Sequence, residues 1–138
     1  MQPLNKNLKN TIYINDQSVL IGHSCGAAFL VRWLGEHDRK IAKLILVTPR
    51  KVRSKRGESI KTQESDLYDF DINPEITKRV GKIIMFTSDN SVQEGKESLQ
   101  QYYEVLWGTV IELPQHGHYT LKDMWTEAFP ELLEKIFE

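Results

Sequence analysis

The chain has 138 residues, which is enough for one domain with a substantial core. Its 18 Lys and Arg nearly balance its 19 Asp and Glu, so overall charge does not favour nucleic acid or an anionic membrane as a partner. It has no apolar run of membrane-spanning length and no apolar signal core, and its one cysteine, Cys25, cannot form an internal disulfide. These features indicate a soluble protein of the cytoplasm and exclude a disulfide-stabilised scaffold.

The first regular elements follow a polar start. Residues 11–14 form a short apolar patch that fits either an added strand or the last turn of a helix. Residues 18–21 are an apolar strand, and residues 25–34 have apolar side chains at helical spacing, with the helix expected to end near Gly35. A tight turn at residues 22–26 joins this strand to this helix.

Further strands alternate with helices along the rest of the chain. Continuous apolar runs predict buried strands at residues 43–47 and 82–87, the first with the pattern of a strand covered on both faces, and residues 109–113 are predicted as the next strand. Helices are predicted in a short segment that Asn73 and Pro74 begin and Gly81 ends, at residues 92–107 and at residues 127–137. This alternation predicts right-handed crossovers and a three-layer α/β domain with a parallel sheet.

Residues 50–61 form a loop rich in basic side chains. Its cations are Arg50, Lys51, Arg53, Lys55, Arg56 and Lys61. These charges could bind an anionic ligand, but a solvated surface loop is favoured because no aromatic residue interleaves with them and the next segment is acidic.

The turn at residues 22–26 reads Gly-His-Ser-Cys-Gly, with Ser24 at its centre. A serine on such a sharp strand-to-helix turn has a strained backbone, and small neighbours relieve the crowding, which gives a reason for Gly22 and Gly26. The turn lifts the Ser24 hydroxyl above the sheet and directs the first N–H groups of the helix at a developing oxyanion. The motif alone also fits a turn in an unrelated α/β protein, including a weak phosphate-binding turn.

Ser24, Asp89 and His118 each follow the carboxyl end of a predicted strand. Because these ends meet at one edge of a parallel sheet, the three side chains can converge there. Serine needs a base to take its proton, imidazole serves best near neutral pH, and a carboxylate holds the imidazole in the required tautomer. The sequence therefore predicts Ser24 as nucleophile, His118 as base and then acid, and Asp89 as the orienting group.

Other residues compete for these roles. His116 could be the base instead of His118, although the flexible Gly117 before His118 favours the latter. Asp89 could instead cap the helix that follows it. Cys25 could be a nucleophile, but a small buried residue whose backbone N–H serves the oxyanion hole is favoured, because it lies one place past the apex.

Three more polar residues are given minor roles. His23 is expected to pack beside its strand, and Asn90 carries no charge with which to stabilise an imidazolium. Asp123 follows His118 too soon to be the first choice for the orienting carboxylate.

Several segments together carry a family resemblance. They are the run IGHSCGAAFLVRWL, the strand AKLILVTP, the segment DFDINPEI, the strand IIMFTSDNSV and the closing LPQHGHY. From about Ile14 onward the chain resembles the retinoblastoma-binding-protein-9-like serine hydrolases of the α/β-hydrolase superfamily. The resemblance implies an α/β-hydrolase fold, a triad of Ser24, Asp89 and His118, and carboxylesterase-like hydrolysis of small esters or acyl compounds with no metal or organic cofactor.

The sequence departs from that family before the turn at Ser24. Family members have an earlier strand and a His-Gly loop that supplies a second oxyanion donor, and neither has a counterpart here. Losing one such donor typically costs about 10²–10³ in kcat, so the departure predicts slow turnover. It also predicts an exposed edge beside residues 18–21, and this edge or the patch at residues 11–14 could pair with a second copy in a homo-oligomer.

Two functions follow from these observations. The first is an acyl hydrolase that forms an acyl-enzyme on Ser24. The alternative is a shortened, catalytically weak or inactive relative that keeps the fold as a binding or assembly module.

Overall fold

The computed structural model describes residues 13–52 and 67–138. Its strands are β1 (Val19–His23), β2 (Ile41–Val47), β3 (Val80–Ser88) and β4 (Thr109–Leu113). Its helices are α1 (Cys25–Glu36), α2 (Ile76–Arg79), α3 (Gln93–Leu106), α4 (Leu121–Met124) and α5 (Pro130–Phe137).

The strands form one parallel sheet in the order β1-β2-β3-β4. The register places Gly22 of β1 beside Leu46 of β2, which in turn pairs with Met85 of β3. The central strands β2 and β3 are almost wholly buried, as their continuous apolar sequences predict. The predicted parallel sheet is therefore confirmed.

Helices cover both faces of the sheet. Alternate residues of β2 and β3 face opposite sides, so each strand contributes to two separate apolar clusters. One cluster joins the sheet to α1, α2 and α3 through Ala27, Val31, Leu34, Ile76, Tyr102 and Leu106. The other joins it to Tyr119 and to partly buried side chains of α5. This is the predicted three-layer α/β arrangement.

Two glycines expected to end helices have other roles. Helix α1 continues through Gly35, where an added Cβ would lie 3.2 Å from the Cβ of Asn73, so the missing side chain allows close packing there. Gly81 lies inside β3, and an added Cβ there would be 2.7 Å from the carbonyl oxygen of Ala42. Both positions are small because another segment approaches them closely, and this cannot be read from local sequence.

Other boundaries differ by a few residues. Helix α2 begins at Ile76, since Asn73 and Pro74 form a turn in which the Asn73 side chain accepts a hydrogen bond from the Glu75 N–H at 3.0 Å. Helix α5 begins at Pro130 instead of residue 127, which suits a residue whose fixed φ favours the first helical position.

The amino-terminal patch and the basic loop are described only in part. Of residues 11–14, the structure describes Tyr13 and Ile14, which are outside any strand or helix, and Ile14 packs against the first apolar cluster. Of the basic loop, only residues 50–52 are described. Within the two described ranges, no helix combines the length and apolar character needed to cross a bilayer.

Candidate active site

Ser24 lies between β1 and α1 in a backbone conformation that side chains rarely adopt. Its φ and ψ are 58° and −116°, and such strain persists only where surrounding bonds hold it. Its N–H donates to the Val47 carbonyl at 3.0 Å, and its own carbonyl accepts from the N–H groups of Ala27 and Arg50 at 3.1 and 3.2 Å. Three hydrogen bonds therefore fix the Ser24 backbone against both its own helix and the neighbouring strand.

The two glycines of the turn meet different surroundings. A Cβ added to Gly22 would lie 2.7 to 2.8 Å from backbone atoms of Gly26 and Ala27, closer than any real contact. A Cβ added to Gly26 would have no atom within 4 Å in the described part of the chain. The close approach of the turn to α1 therefore requires glycine at position 22, whereas position 26 has room for a side chain.

The His118 ring lies directly beside the Ser24 hydroxyl. Its Nε2 is 2.8 Å from Ser24 Oγ, the distance of a hydrogen bond that a serine donates to a neutral imidazole. Gly117 precedes it with φ of 52°, and the His118 N–H donates to Asp123 Oδ2 at 2.8 Å. The loop after β4 thus delivers the imidazole to the serine across 94 residues of sequence.

His23 contacts the same loop, which its sequence position did not indicate. Its Nε2 is 2.7 Å from the His118 carbonyl oxygen, so His23 donates this bond in its Nε2–H tautomer. The two rings lie with centroids 5.0 Å apart. His23 was expected to pack beside its strand, but it is exposed and ties the nucleophile turn to the backbone of His118. The one available signal was its place next to Ser24.

The surroundings of His118 favour its neutral form. Burial lowers the pKa of His118 from its ordinary value, and electrostatic interactions with His23 and Arg50 lower this pKa further, while that with Asp123 raises it. A neutral imidazole is the form that can accept the Ser24 proton. The lowered pKa of His118 therefore favours the form of the ring that can accept a proton at neutral pH.

Asp89 follows β3 at the same edge of the sheet but contacts the loop, not the imidazole. Its Oδ1 accepts the Gln115 N–H at 2.8 Å, and no hydrogen bond or ion pair joins it to His118 among the described residues. It does not cap α3 either, whose first turn has no side-chain cap from the preceding residue. Asp89 thus contacts the loop that carries His118, but it makes no hydrogen bond with the pair of Ser24 and His118 among the described residues.

The neighbours of Asp89 hold the same loop. Ser88 Oγ donates to Asn90 Oδ1 at 2.6 Å and accepts the His116 N–H at 2.8 Å, and Asn90 Oδ1 also accepts the Gly117 N–H at 2.8 Å. The His116 ring turns back to its own loop, with Nδ1 2.7 Å from the Pro114 carbonyl. Of the two histidines, His118 is therefore the one that the structure places at the serine.

Cys25 is the first residue of α1. Its side chain is exposed, whereas the sequence favoured a buried one. The N–H groups of the first helical turn lack partners within their own helix, so that of Cys25 is available to a ligand above the serine. The backbone position suits an oxyanion donor irrespective of side-chain burial.

A cavity of about 510 Å³ adjoins the imidazole. The segments after β2, β3 and β4 line it, with Arg50, Ser91, Val92, Glu94, His118 and Asp123 on its walls. Among residues 13–52 and 67–138, no three His, Cys, Asp or Glu side chains group to hold a metal ion. The chemistry that these residues support is proton transfer and nucleophilic attack by a serine.

Comparison with solved structures identifies the fold. The ydeN gene product from B. subtilis superposes with a TM-score of 0.74 at 13% identity, over 99% of this chain and 72% of that one. An α/β hydrolase, MGS-MChE2, from the metagenome of lagoon sediments at Mar Chica, Morocco, gives 0.64 at 15% identity, over 99% and 67%. The monoacylglycerol lipase of Paleococcus ferrophilus gives 0.61 at 13% identity, over 98% and 71%. At these identities the likeness shows the α/β-hydrolase fold alone.

Comparison by sequence identifies the family. No curated protein sequence matches the chain closely enough to count as a relative. The serine hydrolase family, however, matches residues 4–136, which is nearly the whole chain. The chain therefore belongs to the serine hydrolase family and is a hydrolase with the α/β-hydrolase fold.

Proposed function

We propose that this protein is a carboxylesterase-like enzyme that hydrolyses small esters or related acyl compounds through an acyl-enzyme on Ser24. The observation that carries the proposal is the 2.8 Å separation of Ser24 Oγ and His118 Nε2. Nucleophilic acyl transfer by serine requires at least a base, such as a neutral imidazole, that can accept the serine proton. The resemblance to retinoblastoma-binding-protein-9-like enzymes adds support for small substrates.

Each step of the reaction has a group to perform it. His118 takes the proton of Ser24 as the hydroxyl oxygen attacks the acyl carbon, and the N–H of Cys25 stabilises the oxyanion that forms. His118 then gives that proton to the leaving group, which departs as an alcohol. Water attacks the acyl-enzyme in the second half, with His118 again as base, and releases the acid and free Ser24.

Asp89 is proposed as the carboxylate that orients and stabilises the His118 imidazolium. Two observations support this role. Asp89 follows β3 at the edge of the sheet where His118 lies, and its carboxylate accepts the N–H of Gln115 in the loop that carries His118. The contact with the ring itself is expected to form when His118 becomes positively charged, since a carboxylate gains most from a neighbouring cation. Asp123 accepts the His118 N–H and so helps to fix the backbone that carries the ring.

A fluorophosphonate probe tests the nucleophile. It should label the protein, and Ser24→Ala and His118→Ala should abolish both labelling and turnover of p-nitrophenyl acetate. Cys25→Ala is the matched control, because its thiol is exposed next to Ser24 while only its backbone N–H has a role. Labelling that survives Ser24→Ala, or disappears in Cys25→Ala alone, refutes the assignment.

A pair of carboxylate variants tests Asp89. Removing the charge of an orienting carboxylate lowers kcat by about 10³–10⁴-fold, so Asp89→Asn should have an effect of that order. Asp123→Asn keeps an oxygen that can accept the His118 N–H and should cost far less. Equal and small effects in the two variants would remove Asp89 from the mechanism and leave Ser24 and His118 in place.

We also propose that two copies associate through β1. Among the described strands β1 has a neighbour on one side only, and Ile21 in this strand is 42% exposed. A strand with one unpaired edge and apolar side chains is a template for pairing. Light scattering should give a dimer mass, and replacing Ile21 with Lys should yield the monomer; a monomer mass before replacement contradicts the idea.

A further inference from the structure

Arg50 lies at the carboxyl edge of the sheet, where its backbone is held on two sides. Its N–H donates to the Ser24 carbonyl at 3.2 Å, and its own carbonyl accepts the hydroxyl of Tyr102, a fully buried side chain, at 2.7 Å. The position of Arg50 is therefore tied directly to that of the nucleophile.

The side chain of Arg50 shares the cavity with His118, and its buried Nη1 has no hydrogen-bond partner in the part of the chain that the structure describes. Its Nη1 is buried and makes no hydrogen bond, and no ion pair joins the guanidinium to another side chain within the described ranges. Two carboxylates lie on the same cavity walls, yet neither pairs with it. One of them, Asp123, is already bound to the His118 N–H, and the other, Glu94, lies in the first turn of α3.

A buried guanidinium N–H without a hydrogen-bond partner, such as that of Arg50 Nη1, is energetically costly. Arg stays charged at all working pH values, and burying a donor without a partner costs more than a normal hydrogen bond returns. A carboxylate removes that cost best, since its two oxygens match the guanidinium fork and satisfy two N–H groups at once. In the cavity that His118 also lines, the free protein thus has a donor to which an anionic ligand could bind.

We propose that Arg50 binds a free carboxylate on the substrate, so that this hydrolase prefers acyl compounds that carry a second, unesterified carboxyl group. This specificity rests on the proposed hydrolase function. Glu94, which also lines the cavity, repels a negative charge and so favours binding of the substrate carboxylate at Arg50. A bound carboxylate also neutralises a cation that disfavours the charged form of His118, so the preferred substrate helps the imidazolium to form during attack.

Two matched substrate pairs test the preference. The first compares mono-4-nitrophenyl adipate with its neutral methyl ester and places the carboxylate on the acyl side. The second compares 4-acetoxybenzoate with its methyl ester and places it on the leaving group. We expect the ratio of kcat/KM between charged and neutral members to exceed one in at least one pair. That pair then shows whether Arg50 binds a carboxylate on the acyl group or on the leaving group of the substrate.

Substitution of Arg50 should remove this ratio. Arg50→Gln should lower it by about 10-fold to 100-fold, the value of a hydrogen bond to a charged group, and Arg50→Lys should keep part of it. Arg39→Gln is the matched control, since Arg39 is exposed just before β2 and hence at the opposite edge of the sheet. A ratio that Arg50→Gln leaves unchanged in both pairs overturns the proposal.

A binding experiment separates this proposal from the proposed function. Adipate titrated calorimetrically into the Ser24→Ala protein should bind, and Arg50→Gln in the same background should weaken binding at least 10-fold. This result stands even if no ester is turned over, in which case the hydrolase proposal alone fails. Absent binding, or equal affinity in the two proteins, overturns the role of Arg50.

Discussion

Replacing Gly22 with Ala should damage the protein more than its one added methyl group suggests. The Cβ would lie 2.7 Å from the Cα of Ala27, about 0.7 Å inside the 3.4 Å at which ordinary contact begins. All three nearest atoms belong to the backbone of Gly26 and Ala27, so no side chain can rotate away. The first turn of α1 must move as a unit.

The distances set the size of the effect. Such overpacking costs about 1–3 kcal/mol of the free energy of unfolding. If the turn moved by the same 0.7 Å along the line between Ser24 Oγ and His118 Nε2, their separation would increase from 2.8 Å to about 3.5 Å, the outer limit of a hydrogen bond. Because a misplacement near 1 Å can cost about 10²-fold in rate, Gly22→Ala should slow covalent labelling of Ser24 by roughly 10-fold or more.

Gly26→Ala, four residues along the chain, should have the opposite effect on the free energy of unfolding. Its Cβ meets nothing within 4 Å in the described structure, and Ala is a better helix former than Gly, so the free energy of unfolding should rise by about 0.5–1 kcal/mol. Urea unfolding and the rate of fluorophosphonate labelling measure both variants. If Gly22→Ala unfolds at the same urea concentration as the original protein, or if both substitutions destabilise equally, the account of the turn is wrong.

Two further predictions concern His118 and Tyr102. Because burial lowers the pKa of His118 below its ordinary 6.5 and the neutral ring is the proposed base, kcat/KM for p-nitrophenyl acetate should fall only as pH drops below 6.5; an acid limb centred above that value would contradict this. Tyr102→Phe removes the donor to the Arg50 carbonyl and should cost about 1–2 kcal/mol in urea unfolding, whereas Tyr103→Phe, at an exposed side chain, should change little; equal losses would refute the role of this bond.

Local pattern predicts most of the scaffold. The apolar runs of β2 and β3 must be buried on both faces, so they indicate a parallel sheet before any tertiary contact is known. Where the helix ends were misplaced, at Gly35 and Gly81, the glycine serves a contact with a distant segment, and a pattern of neighbouring residues carries no record of that contact.

The site divides in the same way. The spacing of the turn singles out Ser24, and placement after separate strands selects Asp89 and His118 as candidates, because sheet topology alone brings strand ends together. Spacing could not show that His23 donates to the carbonyl of His118, or that the bonds of Asp89 reach Gln115 and not the ring. Those contacts depend on how one loop folds over another.

The sequence by itself determined the order of strands and helices, the sharp turn and the residues able to do the chemistry, because periodicity and residue type are local properties. Only the tertiary structure decided which histidine meets the serine and that Arg50 Nη1 is buried near His118 with no hydrogen bond to any described residue. The physical reason is that hydrogen bonds between residues nearly a hundred positions apart depend on packing to within about 1 Å, a precision that side-chain pattern along the chain does not encode.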